Sequence, residues 1–393
     1  MKTATTVLTN GNHRHFNPQR VNGNGKSRFD TGQAAAPATS RAVLHLGFDW
    51  GTNKSCLKGA YAGKSGFALE QVIPTIVGYA KDGVVDGLLP DNASVLFGEP
   101  ALRHRLHLNL VHPLADGVVK DAAAARDFAK HLRSLIDAPQ GTEIRAVIGL
   151  PANADPAARD SVREAVAGLF DRVILIPEPF LAALGFRDEA RLADSSYVDP
   201  VRNSLFVDIG GGTTDLCLVQ GYFPTADEQV SLTFAGDRVD VMLHAAIRKT
   251  YPDCELTPFK IRELKEQHSF VGSPSAPVVV SVMVGGKVRK LDITEQLGHA
   301  CNELLDQILA SAKRLIAHAS PDSVGELLQN IILTGGGSRI RGLGAELQRQ
   351  LAAEGYERPG VRVAGERYQE FVALGALKAA RQARENQWQQ VIK

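Results

Sequence analysis

Residues 204–215 read Ser-Leu-Phe-Val-Asp-Ile-Gly-Gly-Gly-Thr-Thr-Asp, and this stretch decides the fold. An apolar run ends in the acid Asp208, a turn built on Gly210, Gly211 and Gly212 follows, and Leu216-Cys217-Leu218-Val219 resumes the apolar run. Short β-favouring runs on either side of a glycine turn predict strand, turn, strand. The same design occurs nearer the N-terminus. There Ala42-Val43-Leu44-His45-Leu46-Gly47-Phe48-Asp49 ends in an acid, Trp50-Gly51-Thr52-Asn53-Lys54 makes the turn, and a second strand-like run begins. A supersecondary unit used twice predicts two lobes of related topology, each offering one loop to a shared cleft.

Between the two hairpins the pattern is strand, helix, strand, helix. Ile144 opens a strand ending at Leu150, and Asp155-Pro156 supplies an N-cap and a first-turn proline. Ala158, Val162, Ala165, Val166 and Leu169 then recur at helical spacing. Val173-Ile174-Leu175-Ile176 is the next strand, with Glu178-Pro179 where a helix can start. This alternation predicts a parallel layer covered by helices. Beyond the second hairpin the spacing predicts a helix over 237–266, a hairpin turning at Gly285-Gly286, and a helix over 294–318. A strand at 330–333 then opens onto Thr334-Gly335-Gly336-Gly337-Ser338, and a terminal helix starts at about Glu366.

A chain of 393 residues that is 44% hydrophobic can bury two cores, and this composition excludes a disordered protein. A formal net charge of +1 gives no general pull toward nucleic acid or an anionic membrane, so neither is expected as a partner. No apolar run approaches the roughly 18 residues of a membrane span. Cys56, Cys217, Cys254 and Cys301 lie far apart without paired metal spacing, which fits reduced thiols in a cytoplasm. Residues 1–40, rich in Asn, Gly, Thr and Ala, read as a flexible, mildly basic tail.

The loops carry the chemistry. A triphosphate needs many N–H donors at close range, and glycines let the backbone approach while adjacent amides form a nest for anionic oxygens. Gly51-Thr52-Asn53-Lys54 and the turn from Gly210 to Thr214 have that character, with hydroxyls from Thr52, Thr213 and Thr214 and a point charge from Lys54. A carboxylate beside phosphates is repulsive unless a cation lies between them. Asp49 and Asp208 therefore read as holders of a hydrated Mg²⁺. Gly335, Gly336 and Gly337 can let a base and ribose lie against backbone, with Arg339 over the adenine face. Phosphoryl transfer is mostly positioning and charge stabilisation, so a group must aim water at the terminal phosphate. Glu178, at a strand end before a helix, is the candidate, with Thr213 or Thr214 sharing the water. A lone triple-glycine turn is more often only a tight connection, and an Asp at a strand end is commonly a cap. The order of the motifs, two acid-turn hairpins with Glu-Pro between and a later strand and glycine turn, favours a nucleotide cleft.

The stretches FDWGTNKS, HPLADGVV, AVIGLPA, EPF, VDIGGGTTD, KEQHSFVG and LQNIILTGGGSRIRGL resemble the bacterial actins, including the MreB-type and magnetosome actin-like proteins, over residues from Leu44 to Ala379. The resemblance implies an α/β actin-like fold of two lobes, each a mixed sheet flanked by helices, with the nucleotide between them. It implies a first lobe of 41–200 plus 367–393 with a small subdomain at about 68–111, and a second lobe of 201–366 with an inserted subdomain at about 237–296. It also implies ATP with Mg²⁺, slow hydrolysis through Glu178 and Asp208, and assembly into cytoplasmic homopolymer filaments that organise magnetosome chains with adaptor proteins. Lys265, Gly236 and Asp237 fall where relatives contact the sugar. Trp50 stands where the family usually has an aliphatic residue. A cell-shape filament, or a scaffold on the same fold that binds ATP without polymerising, remains open at this point.

Overall fold

The computed structural model describes residues 41–390, so the tail reading for 1–40 falls outside the described residues. Two five-stranded sheets dominate. In the first, Arg172–Pro177, Glu143–Leu150 and Val43–Trp50 run parallel, and Lys54–Tyr61 and Leu69–Pro74 continue antiparallel. In the second, Val361–Val363, Ile331–Thr334 and Ser204–Ile209 run parallel, and Thr214–Val219 and Gln229–Leu232 continue antiparallel. The order and sense are the same, as the repeated acid-turn hairpin requires. The register differs in one consequence for chemistry: Asp49 lies opposite Cys56, whereas Asp208 lies opposite a second acid, Asp215.

Each sheet has its own core. Leu44, Leu46, Phe48, Ala146 and Ile148 belong to the first, and Leu205, Val207, Ile209, Leu333 and the helix Thr294–Ile316 to the second. A third apolar block joins them, with Val147 and Ile176 from one sheet and Phe206, Cys217 and Ile332 from the other, beneath the helices Glu178–Phe186 and Phe371–Gln382. Those two helices pack backbone against backbone. A Cβ at Gly185 would strike the Phe371 carbonyl, one at Gly375 the Leu181 carbonyl, and one at Gly47 the Ala373 carbonyl. The close approach fixes the N-terminus of helix Glu178–Phe186, and with it Glu178, against the end of the first sheet.

Two smaller sheets decorate this frame. Val77–Ala80 pairs with Val95–Phe97 and Leu108–Val111 over a cluster that includes Ile76, Leu96 and Leu108. This sheet starts at Val77, and Leu69–Pro74 before it is hydrogen-bonded into the first main sheet. The hairpin Val279–Val284 with Lys287–Asp292 turns at Gly285 and Gly286, whose φ of 53° and 76° are the left-handed values such a turn needs.

Two helix boundaries differ from expectation. The helix expected over 237–266 is two, Gly236–Thr250 and Pro258–His268. Pro252 disfavours helix at Tyr251, and Thr257 caps the second helix by accepting the Lys260 N–H at 3.2 Å. The terminal helix begins at Phe371 rather than Glu366, after a 3₁₀ turn at Tyr368–Glu370. Glu370 is held there by the buried Lys58 ammonium at 3.0 Å. A further 3₁₀ turn, Gly336–Arg339, takes in the last two glycines of the third glycine run. Among the described residues no helix is long and apolar enough to cross a membrane, and all four cysteines are free and buried.

Candidate functional site

The three glycine turns meet at one cavity of about 360 Å³, within the usual range for small-molecule sites. Gly51, Gly210, Gly211, Gly212, Gly236, Gly335, Gly336 and Gly337 line it, with Thr52, Asn53, Lys54, Thr213, Lys265, Arg339, Asp49, Asp208 and Glu178. Two residues expected as contacts, Thr214 and Asp237, do not line it. Thr214 is fully buried and its hydroxyl donates to the Phe234 carbonyl at 2.8 Å, because period-two alternation along the strand points it to the face opposite Thr213. Asp237 is also absent from the lining and is engaged by Asn53 and Arg262 instead.

The loops are braced from beneath. Buried Thr75 donates its hydroxyl to the Gly51 carbonyl at 2.7 Å and sits 2.8 Å from the Ser55 hydroxyl, which holds the first turn. In the second turn the Gly210 N–H donates to the Thr213 carbonyl at 2.8 Å. The helix Gly236–Thr250 begins directly on that turn, its Gly236 and Asp237 N–H groups donating to the carbonyls of Gly210 and Gly211 at 3.1 and 2.8 Å. The two loops abut: a Cβ at Gly212 would lie 2.9 Å from the Asp116 nitrogen and would also strike the Thr52 hydroxyl. Gly117 N–H donates to that hydroxyl at 3.2 Å. In the third turn Gly335 has φ of +77°, and a Cβ there would meet the Asp208 carboxylate. Only glycine satisfies both conditions.

Four carboxyls converge on this space. Burial, then the charge of Asp208, raises Asp49 well above the ordinary carboxylate range. Burial raises Glu178 well above it too, with Asp49, Asp215 and Asp208 adding repulsion. Asp208 is pushed up to about 7 by burial and by Asp215. Asp215 rises to about 6, burial outweighing hydrogen bonds from Thr213, Ser231 and the Ala152 N–H. Crowding and desolvation of this kind favour the protonated carboxyls, and a positive charge placed among them would favour the ionised ones. Among the described residues no three His, Cys, Asp or Glu side chains form a metal cage. The oxygen donors of this carboxyl set are of the kind that suits a hard divalent ion.

The three cationic side chains at the cavity differ in freedom. Lys265 is committed, its Nζ donating to Asp240 at 2.9 Å and to the Gly236 carbonyl at 2.8 Å. Arg339 pairs with Glu366, and Lys54 is exposed. Trp50 is buried, stacked on Phe48 with ring centroids 5.2 Å apart, so the bulky residue under the first loop is absorbed by the first-sheet core. Asp215, Thr75, Tyr368 and Gln369 escaped the sequence reading. Asp215, Tyr368 and Gln369 line the cavity, and Thr75 stands behind it. Only Asp215 carries a signal in the sequence: closing the hairpin on its glycines places it opposite Asp208.

Two sheets of one topology, with glycine loops and carboxyls between them, define the actin-like class of fold. The MreB/Mbl protein family model matches residues 44–387, and the chain belongs to that family. It is 33% identical over 313 residues to the actin-like protein MamK of Paramagnetospirillum magneticum, covering 78% of this chain and 84% of that protein. A MamK double helical filament structure superposes with a TM-score of 0.77 at 31% identity, covering 87% of this chain and all (100%) of that one. A non-polymerising MamK mutant bound to AMPPNP superposes with a TM-score of 0.61 at 31% identity, covering 87% and 99%.

Proposed function

We propose that this chain is an ATPase that polymerises with copies of itself into cytoplasmic filaments when it holds ATP and disassembles on hydrolysis, positioning organelles such as magnetosome chains through adaptor proteins. The observation that carries the nucleotide reading is the meeting of three glycine turns and four crowded carboxyls in one cavity between two like sheets. The polymer reading rests on the likeness to a protein whose filament is double helical, and the choice of ATP on the likeness to one bound to AMPPNP.

The two sheets mark the lobes, 41–200 with the chain from 367 onward and 201–366, and the apolar block beneath the helices Glu178–Phe186 and Phe371–Gln382 serves as their joint. The backbone amides of Gly51 to Lys54 and Gly210 to Thr213 bind the phosphates, the Thr52 and Thr213 hydroxyls add donors, and Gly335 to Gly337 admit ribose and base beside Arg339. Asp49 and Asp208 would hold Mg²⁺, which would supply the positive charge that phosphates and carboxylates need between them. Glu178, with Thr213, orients a water toward the terminal phosphate. Its raised proton affinity suits a group that accepts a proton from that water. Lys265, already fixed by Asp240, presents its ammonium beside the sugar.

Equilibrium binding of labelled ATP, GTP and ADP with Mg²⁺ or EDTA tests the site. Tight binding of ATP that weakens in EDTA is expected. Binding indifferent to Mg²⁺ contradicts the metal assignment, and no binding contradicts the site.

A further inference from the structure

Asn53 and Asp237 touch each other. Asn53 Nδ2 donates to Asp237 Oδ1 at 2.9 Å across 184 residues of sequence. Asn53 sits in the first phosphate loop, on the turn of the first sheet. Asp237 sits in the first turn of the helix Gly236–Thr250, whose N–H at that residue donates to Gly211 of the second phosphate loop at 2.8 Å. Both ends are fixed: Arg262 Nη2 donates to the same Asp237 oxygen at 3.1 Å, and the Asn53 carbonyl accepts the Thr75 N–H at 3.0 Å. Gly211 has no side chain where the Asn53 amide lies, and a Cβ there would strike Nδ2. Asn53 borders the cavity and Asp237 does not.

We propose that Asn53 and Asp237 are a positioning pair that latches the two phosphate loops together over bound nucleotide and sets the rate at which nucleotide leaves. The proposal rests on the nucleotide reading of the cavity. A hydrogen bond to an ionised carboxylate is stronger than a neutral one. This one joins the turn of the first sheet to the helix seated on the second sheet's turn, so the loops separate on this side only when it breaks. Arg262 holds the carboxylate in place, and the absent side chain at Gly211 leaves the path between the two groups clear.

Stopped-flow displacement of a fluorescent ATP analogue from the full chain with Mg²⁺ reads the latch. N53D sets two carboxylates against each other and D237A removes the acceptor, and each is expected to speed dissociation about tenfold while slowing association little. The double variant N53D/D237N re-forms the bond with donor and acceptor exchanged, and its dissociation rate is expected to return toward the parent's. Fast dissociation in N53D that D237N does not rescue would show that Asn53 acts on the nucleotide itself and overturn the latch. Unchanged rates in N53D and D237A would overturn it as well. If the parent binds no nucleotide, the reading of the cavity falls and the latch with it, an outcome distinct from binding at unchanged rates.

Discussion

The Ala152 N–H donates to Asp215 Oδ1 at 2.8 Å, and this buried bond ties the end of a first-sheet strand to the second strand of the other sheet's hairpin. Beside it Asn153 Nδ2 donates to the Gln229 carbonyl at 2.8 Å, a second tie to the other sheet. Asp215 thus has two opposed effects: it satisfies a buried donor, and it repels Asp208 across the hairpin.

Substituting Asp215 separates those effects. D215A leaves the Ala152 N–H without its acceptor and is expected to cost about 1–3 kcal/mol in chemical denaturation. D215N keeps an acceptor and removes the charge, so without metal at pH 8 it should be at least as stable as the parent. A D215N midpoint below that of D215A would contradict this division.

Stability without metal should fall as pH rises. Asp208 and Asp215 bind protons more tightly folded, at about 7 and 6, than an ordinary carboxyl does. Between the ordinary carboxylate range and those values the folded state holds more protons than the unfolded one. The stabilisation is full at the acidic end and is lost as pH climbs through about 7, with a limiting slope of about 1.4 kcal/mol per pH unit for each titrating group. Denaturation in EDTA should therefore show greater stability at pH 6 than at pH 8, and Mg²⁺ should help most at pH 8. A flat or opposite trend in EDTA would count against the buried cluster.

E178Q should bind ATP with Mg²⁺ nearly as the parent does, while phosphate release slows about 10²-fold or more. Single-turnover phosphate release beside equilibrium binding separates the two. Hydrolysis at the parental rate removes Glu178 from the chemistry.

The helix pair that seats Glu178 leaves no room for a methyl group. Gly375→Ala would drive Cβ into the Leu181 carbonyl and is expected to cost about 1–3 kcal/mol or more. Gly325→Ala, in a helix with open space around it, should be neutral or stabilising by up to about 1 kcal/mol. Equal effects in thermal denaturation would contradict the close packing.

The repeated hairpin and the three glycine turns were legible because their physics is local: an acid at a strand end, glycines where backbone must approach, and a strand on either side. Contacts that depend on how distant elements meet were not. Thr75 supports Gly51 only because the strand Leu69–Pro74 folds back beside Lys54–Tyr61. Tyr368 and Gln369 reach the cavity only because the chain returns to the first sheet. Thr214 and Thr213 look equivalent in sequence, yet alternation sends one into the core and the other to the cavity. Asp237 bonds Asn53, on the turn of the first sheet, and Arg262, neither of which its place in the sequence announces.

Sedimentation with electron microscopy of the purified chain, compared in Mg-ATP, Mg-ADP and no nucleotide, tests the central claim. Filaments that pellet with Mg-ATP and are sparse in the other two conditions are the expected result. A chain that binds and hydrolyses ATP yet stays in the supernatant without filaments would contradict the account and leave a nucleotide-binding scaffold in its place.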